Sequence, residues 1–205
     1  MTEKYYEQED LDRFISYFYQ INTIKKLRPK TILEIGIGNK TVSNYLKTNN
    51  FEVTTCDFDK KLNPDYIADI RNLPFQNNSF ELVIACEILE HIPYQDLSKA
   101  LTNLHRITKK YVIISVPYSS IYLGLMLRFP LAKKLINRDY LNLFLGIPSR
   151  TKLKYQGSHY WEIGRKGYPI KKIRKDLSKF FKINKEFRAL PNPVHYFFVL
   201  EKKEL

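Results

Sequence analysis

The chain has 205 residues, of which 44% are hydrophobic and 27% are charged. This size and composition suit one domain with a sizeable buried core. No apolar run reaches the roughly 20 residues that a membrane span requires, and the longest run, 112–127, is interrupted by Pro117, Ser119 and Ser120. Cys56 and Cys86 lie in separate apolar runs, and no secretory signal opens the sequence, so a reduced, cytoplasmic protein is expected.

Positive charge is concentrated in the second half of the sequence. Residues 1–110 carry 15 basic and 15 acidic side chains, whereas residues 111–205 carry 19 basic and 6 acidic ones. A basic region of this kind can bind RNA, hold a protein peripherally at an anionic membrane surface, or form an ordinary solvated face. The sequence leaves these three interpretations open.

The first predicted element is an amphipathic helix that begins at Leu11 and ends before Pro29. Its apolar face is predicted to comprise Phe14, Ile15, Phe18 and Ile21, which recur at helical spacing. This helix is expected to pack on a sheet or to cover a binding site.

The stretch 31–39, Thr-Ile-Leu-Glu-Ile-Gly-Ile-Gly-Asn, combines an apolar run with two glycines separated by one residue. A near-continuous apolar run is typical of a parallel strand buried on both faces, so this run is predicted to be the central strand. Gly36 and Gly38 lack a Cβ, so the backbone can turn sharply there and approach a ligand closely. Asn39 is expected to cap a helix over 40–47.

The composition of this turn favours a cationic nucleoside without phosphate groups as its ligand. A dinucleotide fingerprint needs a third glycine three residues after Gly38, where this sequence has Thr41. Glu34, two residues before the first glycine, would repel phosphates and attract a cation.

Two more apolar runs lead to aspartates. Residues 51–57 are predicted to form the second strand, with Asp57 at the carboxyl end, where open α/β sheets contact ligands. Its carboxylate can accept hydrogen bonds from ribose hydroxyls, although the spacing from Gly38 suits an NAD enzyme equally well. Residues 66–70 are predicted to form a short third strand that ends in Asp69 and Ile70.

The fourth predicted strand, 79–86, leads into Cys-Glu-Ile-Leu-Glu-His-Ile-Pro at 86–93. With the acid and the two glycines of 34–38, this motif resembles the class I S-adenosylmethionine (SAM)-dependent methyltransferases, in particular the group that includes ubiquinone-pathway O-methyltransferases. The resemblance covers 30–117 and, more loosely, 168–203. It departs at Lys40, where the family usually has another glycine.

The resemblance implies an α/β, Rossmann-like, doubly wound fold with a seven-stranded, mostly parallel sheet and an antiparallel C-terminal hairpin, as a single domain over 1–205. It implies SAM as the cofactor, with Asp69 accepting a hydrogen bond from the adenine amino group and Ile70 lying against the ring. The candidate cofactor-binding residues are Glu34, Gly36, Gly38, Asp57, Phe58, Asp69, Ile70 and Cys86.

The second half is predicted to hold a helix over 95–107, a strand over 111–116, a helix over 169–181, and closing strands over 183–189 and 194–201. Residues 118–167 resemble an insertion. Because the segment after the fifth strand commonly covers the acceptor in the family that the chain resembles, the insertion is expected to cover the acceptor here.

Methyl transfer requires two aligned reactants, and a hydroxyl acceptor also requires a base. His91, His159 and His195 are candidates for that base, and the predicted catalytic residues are His91 and His159. His159 belongs to the segment 157–164, which contains the chain's only tryptophan beside a histidine and a glutamate. A packed aromatic loop is the alternative role of this segment.

Glu87, Glu90 and His91 are spaced so that an α-helix would present them on one face. Two carboxylates and an imidazole can hold a divalent metal, and the spacing resembles the metal site of ubiquinone-pathway and small-RNA 2′-O-methyltransferases. No metal is assigned, because the sequence identifies no fourth ligand.

We therefore predict a SAM-dependent methyltransferase that acts on an oxygen or nitrogen of a small molecule, with a sugar or a lipid-linked intermediate as candidate acceptors. RNA is the alternative acceptor because of the basic second half. A non-catalytic protein that retains the fold is a third alternative, motivated by Lys40. No stable protein partner is inferred.

Overall fold

The structure is a computed structural model that describes residues 10–128, 133–134, 140–155 and 158–204. Its helices are α1 (Leu11–Leu27), α2 (Thr41–Thr48), α3 (Leu97–Ile107) and α4 (Ile170–Leu177). Its strands are β1 (Thr31–Ile35), β2 (Glu52–Asp57), β3 (Tyr66–Ile67), β4 (Phe80–Cys86), β5 (Thr108–Pro117), β6 (Ser120–Leu127), β7 (Leu141–Pro148), β8 (Phe181–Arg188) and β9 (His195–Lys202).

Seven strands form one sheet in the order β3-β2-β1-β4-β5-β9-β8. The pairings among β1 to β5 are parallel, whereas β9 runs antiparallel to both β5 and β8. The predicted seven-stranded, mostly parallel sheet with an antiparallel C-terminal hairpin is therefore confirmed. β1 and β4 lie in the interior of the sheet and carry almost continuous buried side chains, as parallel strands covered on both faces do.

The sheet has an apolar core on each face. Leu33 and Ile35 of β1 belong to one core and Ile32 between them belongs to the other, because successive strand residues point to opposite faces. Residues of α3 and α4 complete the first core, and residues of α1 and α2 complete the second. This is the doubly wound arrangement, in which helices cover both faces of the sheet.

Helix α1 forms where the sequence predicts it, but its predicted apolar face is only half correct, since Ile15 and Ile21 pack against the second core. Phe14 and Phe18 are exposed, whereas Ser16, Gln20 and Ile24 are buried. The two polar side chains tolerate burial because Gln20 Nε2 donates to Ser16 Oγ at 3.2 Å. The helix thereby turns a polar stripe towards the interior of the protein.

The segment 118–167 contains an element that the sequence did not predict. β6 and β7 pair antiparallel in register along eight residues each and form a separate two-stranded sheet. No helix in the described ranges has both the length and the apolar character to cross a membrane.

Candidate functional site

A cavity of about 930 Å³ lies at the carboxyl ends of β1, β2 and β4. This volume is in the range of sites that bind small molecules and cofactors. All ten predicted site residues line it: Glu34, Gly36, Gly38, Asp57, Phe58, Asp69, Ile70, Cys86, His91 and His159. The fold thus brings residues as far apart in sequence as Glu34 and His159 to the wall of one cavity.

The turn after β1 depends on its two glycines for different reasons. Gly36 has φ +79°, its N–H donates to the Cys56 carbonyl at 2.9 Å, and a Cβ there would lie 1.9 Å from Ile88 Cδ1. Gly38 has φ +49°, but a Cβ there would meet no described atom within 4 Å. Glycine therefore suits position 36 because of its positive φ together with the close approach of Ile88, whereas Gly38 presents bare backbone to the open cavity.

Lys40 also adopts a left-handed conformation, with φ +64°, at the N-cap of α2. This conformation explains why a glycine suits the position, because an L-residue pays a steric cost there. Asn39 contributes to the cap, although it is not itself the N-cap residue: its Oδ1 accepts from Thr41 N–H at 3.1 Å. The loop thus keeps its shape without the usual third glycine.

Asp57 closes the turn from the neighbouring strand. Its Oδ2 accepts from Ile37 N–H at 3.0 Å and its Oδ1 accepts from Asp59 N–H at 2.9 Å. Burial raises its pKa above the ordinary value, and these hydrogen bonds act in the opposite direction. Each oxygen keeps a second lone pair for a ligand. Phe58 beside it is 72% exposed, so its ring is open to the cavity.

Asp69 is held by Arg71. Its two oxygens accept from Arg71 Nε at 2.9 Å and from Arg71 Nη2 at 2.7 Å, and these bonds lower its pKa. Arg71 also reaches Asp96 at 2.7 Å. Asp69 is thus a fixed, ionised acceptor at the cavity wall, next to the buried side chain of Ile70.

Glu34 is buried beneath the turn. Desolvation raises its pKa from 4.5 to about 8, and hydrogen bonds from Ser43 offset only part of this effect. Its Oε2 has no hydrogen-bond partner among the described residues. In the ligand-free protein Glu34 is therefore mainly protonated at pH 7, and a cation bound nearby would favour its ionised form.

Two groups at the end of β4 differ in their chemistry. Burial raises the pKa of the Cys86 thiol, so Cys86 is neutral and unsuited to act as a nucleophile. Glu87 next to it has φ +55° and accepts from Ser115 Oγ at 2.7 Å. Its Oε1 also lies 3.2 Å from His195 Nδ1. Burial lowers the pKa of His195, but Glu87 and more distant acids outweigh this effect, so the pKa is raised.

His91 and His159 meet across the cavity wall, with ring centroids 5.0 Å apart. The segment that contains His159 is held by a backbone hydrogen bond, in which Tyr160 N–H donates to the Glu90 carbonyl at 2.8 Å. His91 Nδ1 lies 2.9 Å from the Ser158 carbonyl, which can only accept, so Nδ1 carries the proton. Burial lowers the pKa of His91, so the ring is kept neutral with Nε2 as its basic nitrogen.

His159 is oriented in the same way by an acid. Its Nδ1 lies 2.9 Å from Glu162 Oε1, and Arg165 Nε donates to Glu162 Oε2 at 2.9 Å. The hydrogen bond with His159 lowers the pKa of Glu162, which keeps it ionised. The prediction gave no role to Glu162 or Arg165, although the three-residue steps from His159 to Glu162 and from Glu162 to Arg165 were a signal for them. Trp161 between them is packed in the core, with Nε1 donating to the Leu89 carbonyl at 3.0 Å.

The prediction that Glu87, Glu90 and His91 lie on one face of an α-helix is wrong. Only Leu89–His91 is helical, as one turn of 3-10 helix, because Glu87 occupies a left-handed turn. One ligand atom each of Glu90, His91 and His159 lies within 4.8 Å of the others. Glu90 is fully buried, and neither of its carboxylate oxygens has a partner in the described part of the chain. These three side chains fit the donor set of a divalent metal.

Comparisons with known proteins agree with this geometry. Residues 33–115 match the family model described as a methyltransferase domain, which includes the glycine turn, both aspartates and the motif after β4. No curated protein gives a significant sequence match to the chain.

Solved structures of similar fold cover nearly the whole chain. The PH0226 protein from Pyrococcus horikoshii OT3 is 14% identical, with a TM-score of 0.64, over 99% of this chain and 100% of its own. Magnesium protoporphyrin IX methyltransferase from Synechocystis PCC 6803, with bound S-adenosylhomocysteine (SAH), is 13% identical, with a TM-score of 0.64, over 96% and 89%. The N-methyltransferase NodS from Bradyrhizobium japonicum WM9, also with SAH, is 9% identical, with a TM-score of 0.60, over 96% and 90%. The chain therefore has the fold of these three proteins, two of which are methyltransferases with bound SAH.

Proposed function

We propose that this protein is a SAM-dependent methyltransferase that acts on an oxygen or nitrogen of a small molecule. The observation that carries the proposal is the single cavity at the strand ends, which all ten residues selected from the sequence line. The match of 33–115 to a methyltransferase domain and the SAH found in solved structures of this fold support it.

SAM would lie along the strand ends. In this proposal the backbone of Gly36 and Gly38 runs beside the ligand, Asp57 accepts from the ribose hydroxyls, and Asp69 accepts from the adenine amino group. Ile70 and Phe58 offer apolar surface to the adenine ring, and Glu34 and Cys86 lie at the inner wall.

Bound SAM would supply a methyl group on a sulfonium, already activated for in-line displacement. The protein then has to align the acceptor and take up its proton. We assign the proton to Nε2 of His159, because Nδ1 is engaged by Glu162 and an ionised Glu162 stabilises the imidazolium. His91, kept neutral by burial, would orient the acceptor through its own Nε2.

A divalent metal offers another use for these groups. Glu90, His91 and His159 would hold it, and it would polarise an acceptor hydroxyl. The two roles compete for the same nitrogen of His159. Turnover that survives dialysis against a chelator would support the base role, and turnover that a divalent cation restores would support the metal.

The acceptor is proposed to enter beside the segment 118–167, which contributes Tyr118, Tyr155 and His159 to the cavity wall. A sugar or a lipid-linked molecule fits a wall built of aromatic and hydrogen-bonding groups. RNA remains the second candidate, favoured by the excess of basic over acidic residues in 111–205. Failure to bind RNA at low salt would exclude it.

Transfer of label from methyl-labelled SAM to a panel of small acceptors and RNA tests the proposal. His159→Ala should abolish turnover and change the affinity for SAH by less than about twofold. His105→Ala is the matched control, since His105 lies on α3 outside the cavity lining, with Nε2 2.8 Å from the Lys203 carbonyl. Full turnover by His159→Ala would remove His159 from the mechanism.

A further inference from the structure

The β6–β7 hairpin has one face made only of aliphatic side chains. Alternate residues of the two strands pair across the hairpin as Ile121 with Ile147, Leu123 with Leu145, Leu125 with Leu143, and Leu127 with Leu141. All eight are exposed, from 37% for Leu141 to 77% for Ile121. A strand normally alternates apolar residues facing the core with polar residues facing water, so this face needs an apolar partner.

The opposite face of the hairpin contacts the rest of the protein through Phe144 and Ser120, while Tyr122 and Met126 on it are each 46% exposed. Phe144 is half-buried and packs against Tyr122 in a tilted arrangement, with 5.8 Å between ring centroids. The Arg188 guanidinium lies 4.8 Å from the Phe144 ring centroid and donates to Ser120 Oγ at 3.0 Å. Because these contacts are all made by the opposite face, the aliphatic face points away from the body of the protein.

The charges around the hairpin identify the partner. In sequence, residues 118–155 contain seven basic residues and one acidic residue. Exposed basic side chains follow both strands: Arg128, Lys133 and Lys134 come after β6, and Arg150, Lys152 and Lys154 come after β7. An aliphatic surface between two basic clusters matches the acyl chains and anionic headgroups of a membrane leaflet.

Other occupants explain less of this pattern. Two copies of the chain packed through their aliphatic faces would bring the basic clusters of both copies together, which is unfavourable. RNA would pair with the charges but leave the aliphatic side chains in water, since bases bind single-stranded sites by stacking on aromatic rings.

We propose that the β6–β7 hairpin docks the protein on an anionic membrane, with its aliphatic face in the acyl-chain region. At about 3.4 Å per residue, strands of eight residues reach about 27 Å, so the basic clusters at the two ends of the hairpin both meet headgroups when the strands lie along the membrane surface. Ser119 and Ser120, at the base of the hairpin, line the cavity. Resting on the proposed function, this placement makes an amphiphilic acceptor, presented from the membrane, the substrate class that fits best.

Co-sedimentation with phosphatidylcholine vesicles, with and without phosphatidylglycerol, tests the docking. The wild-type protein should bind the anionic vesicles, and the Leu123→Ser/Leu145→Ser double variant should bind at least about tenfold more weakly, because burial of each leucine contributes roughly tenfold or more. Leu11→Ser removes an equally exposed leucine, at 74%, outside the hairpin and should bind like wild type. Replacing Lys133 and Lys134 together by glutamine should weaken binding to the anionic vesicles only.

Vesicle binding is read without methyl transfer or SAH binding, so it stands or falls separately from the proposed function, and cooperative urea unfolding shows that each variant keeps its fold. The docking proposal is overturned if the wild-type protein binds neither vesicle, or if the double variant binds as well as wild type. A dimer that the double variant dissociates, without any vesicle binding, would also overturn it and would identify a second copy as the partner.

Discussion

Replacing Glu34 by glutamine should stabilise the ligand-free protein, and increasingly so as the pH rises. Burial raises the pKa of Glu34 from 4.5 to about 8, so between these values the folded state binds a proton that the unfolded state does not. The wild-type protein therefore loses stability as the pH rises through this window. The loss reaches about 3 kcal/mol at pH 7 and about 5 kcal/mol above pH 8, and Glu34→Gln removes it.

Urea unfolding of both proteins at about pH 5, 7 and 8.5 measures the effect. The difference in the free energy of unfolding should be small at the lowest pH and grow to several kcal/mol at the highest. Glu52→Gln, at the exposed start of β2, controls for the removal of one negative charge from the surface. A stability difference between wild type and Glu34→Gln that does not change with pH would refute the assignment.

The Glu34 carboxyl should also release a proton when a cationic ligand binds. A cationic ligand bound nearby would lower the pKa of Glu34, so its binding near pH 7 should release a proton. Calorimetry in two buffers of different ionisation enthalpy detects that proton. Glu34→Gln should abolish the release, and release that persists in the variant would assign the proton to another group.

Three further substitutions follow from the geometry. Lys40→Gly should raise the free energy of unfolding by about 0.5 to 1 kcal/mol, because glycine adopts the left-handed conformation of this position without steric cost. Lys40→Ala should give no such gain, and equal effects of the two substitutions in urea unfolding would contradict this explanation. Gly38→Ala should cost about 1 kcal/mol of stability and weaken SAH binding by about tenfold, because the added methyl group faces the cavity; unchanged affinity by calorimetry would place the ligand elsewhere. Glu87→Gln should lower the pKa of His195 in an NMR titration, and an unchanged pKa would exclude their ion pair.

The sheet was predictable because its signals are local. The apolar run 31–37 is typical of a buried parallel strand. The glycines that follow it predict a tight turn, and the residues after them predict the helix α2. Acidic residues near the ends of successive strands can then be predicted to lie close together, because the carboxyl ends of parallel strands share one edge of the sheet. This is why ten residues chosen from the sequence line one cavity.

Features set by long-range packing escaped the prediction. Phe14 and Phe18 carry the strongest apolar signal in α1, yet both are exposed, whereas Ser16, whose hydroxyl accepts from Gln20 within the helix, is buried and lines the cavity. The left-handed turn at Glu87 breaks the helix that its spacing suggests. The β6–β7 hairpin could not be recognised from alternation, because β6 has apolar residues on both faces.

Binding of a sulfonium nucleoside in the cavity is tested most directly by calorimetric titration of the purified protein with SAM and with SAH. Both should bind, and Asp57→Ala should weaken both by at least about tenfold, through loss of charge-assisted hydrogen bonds. Absence of heat with either compound, together with no nucleoside detected by mass spectrometry in the purified protein, would contradict the account.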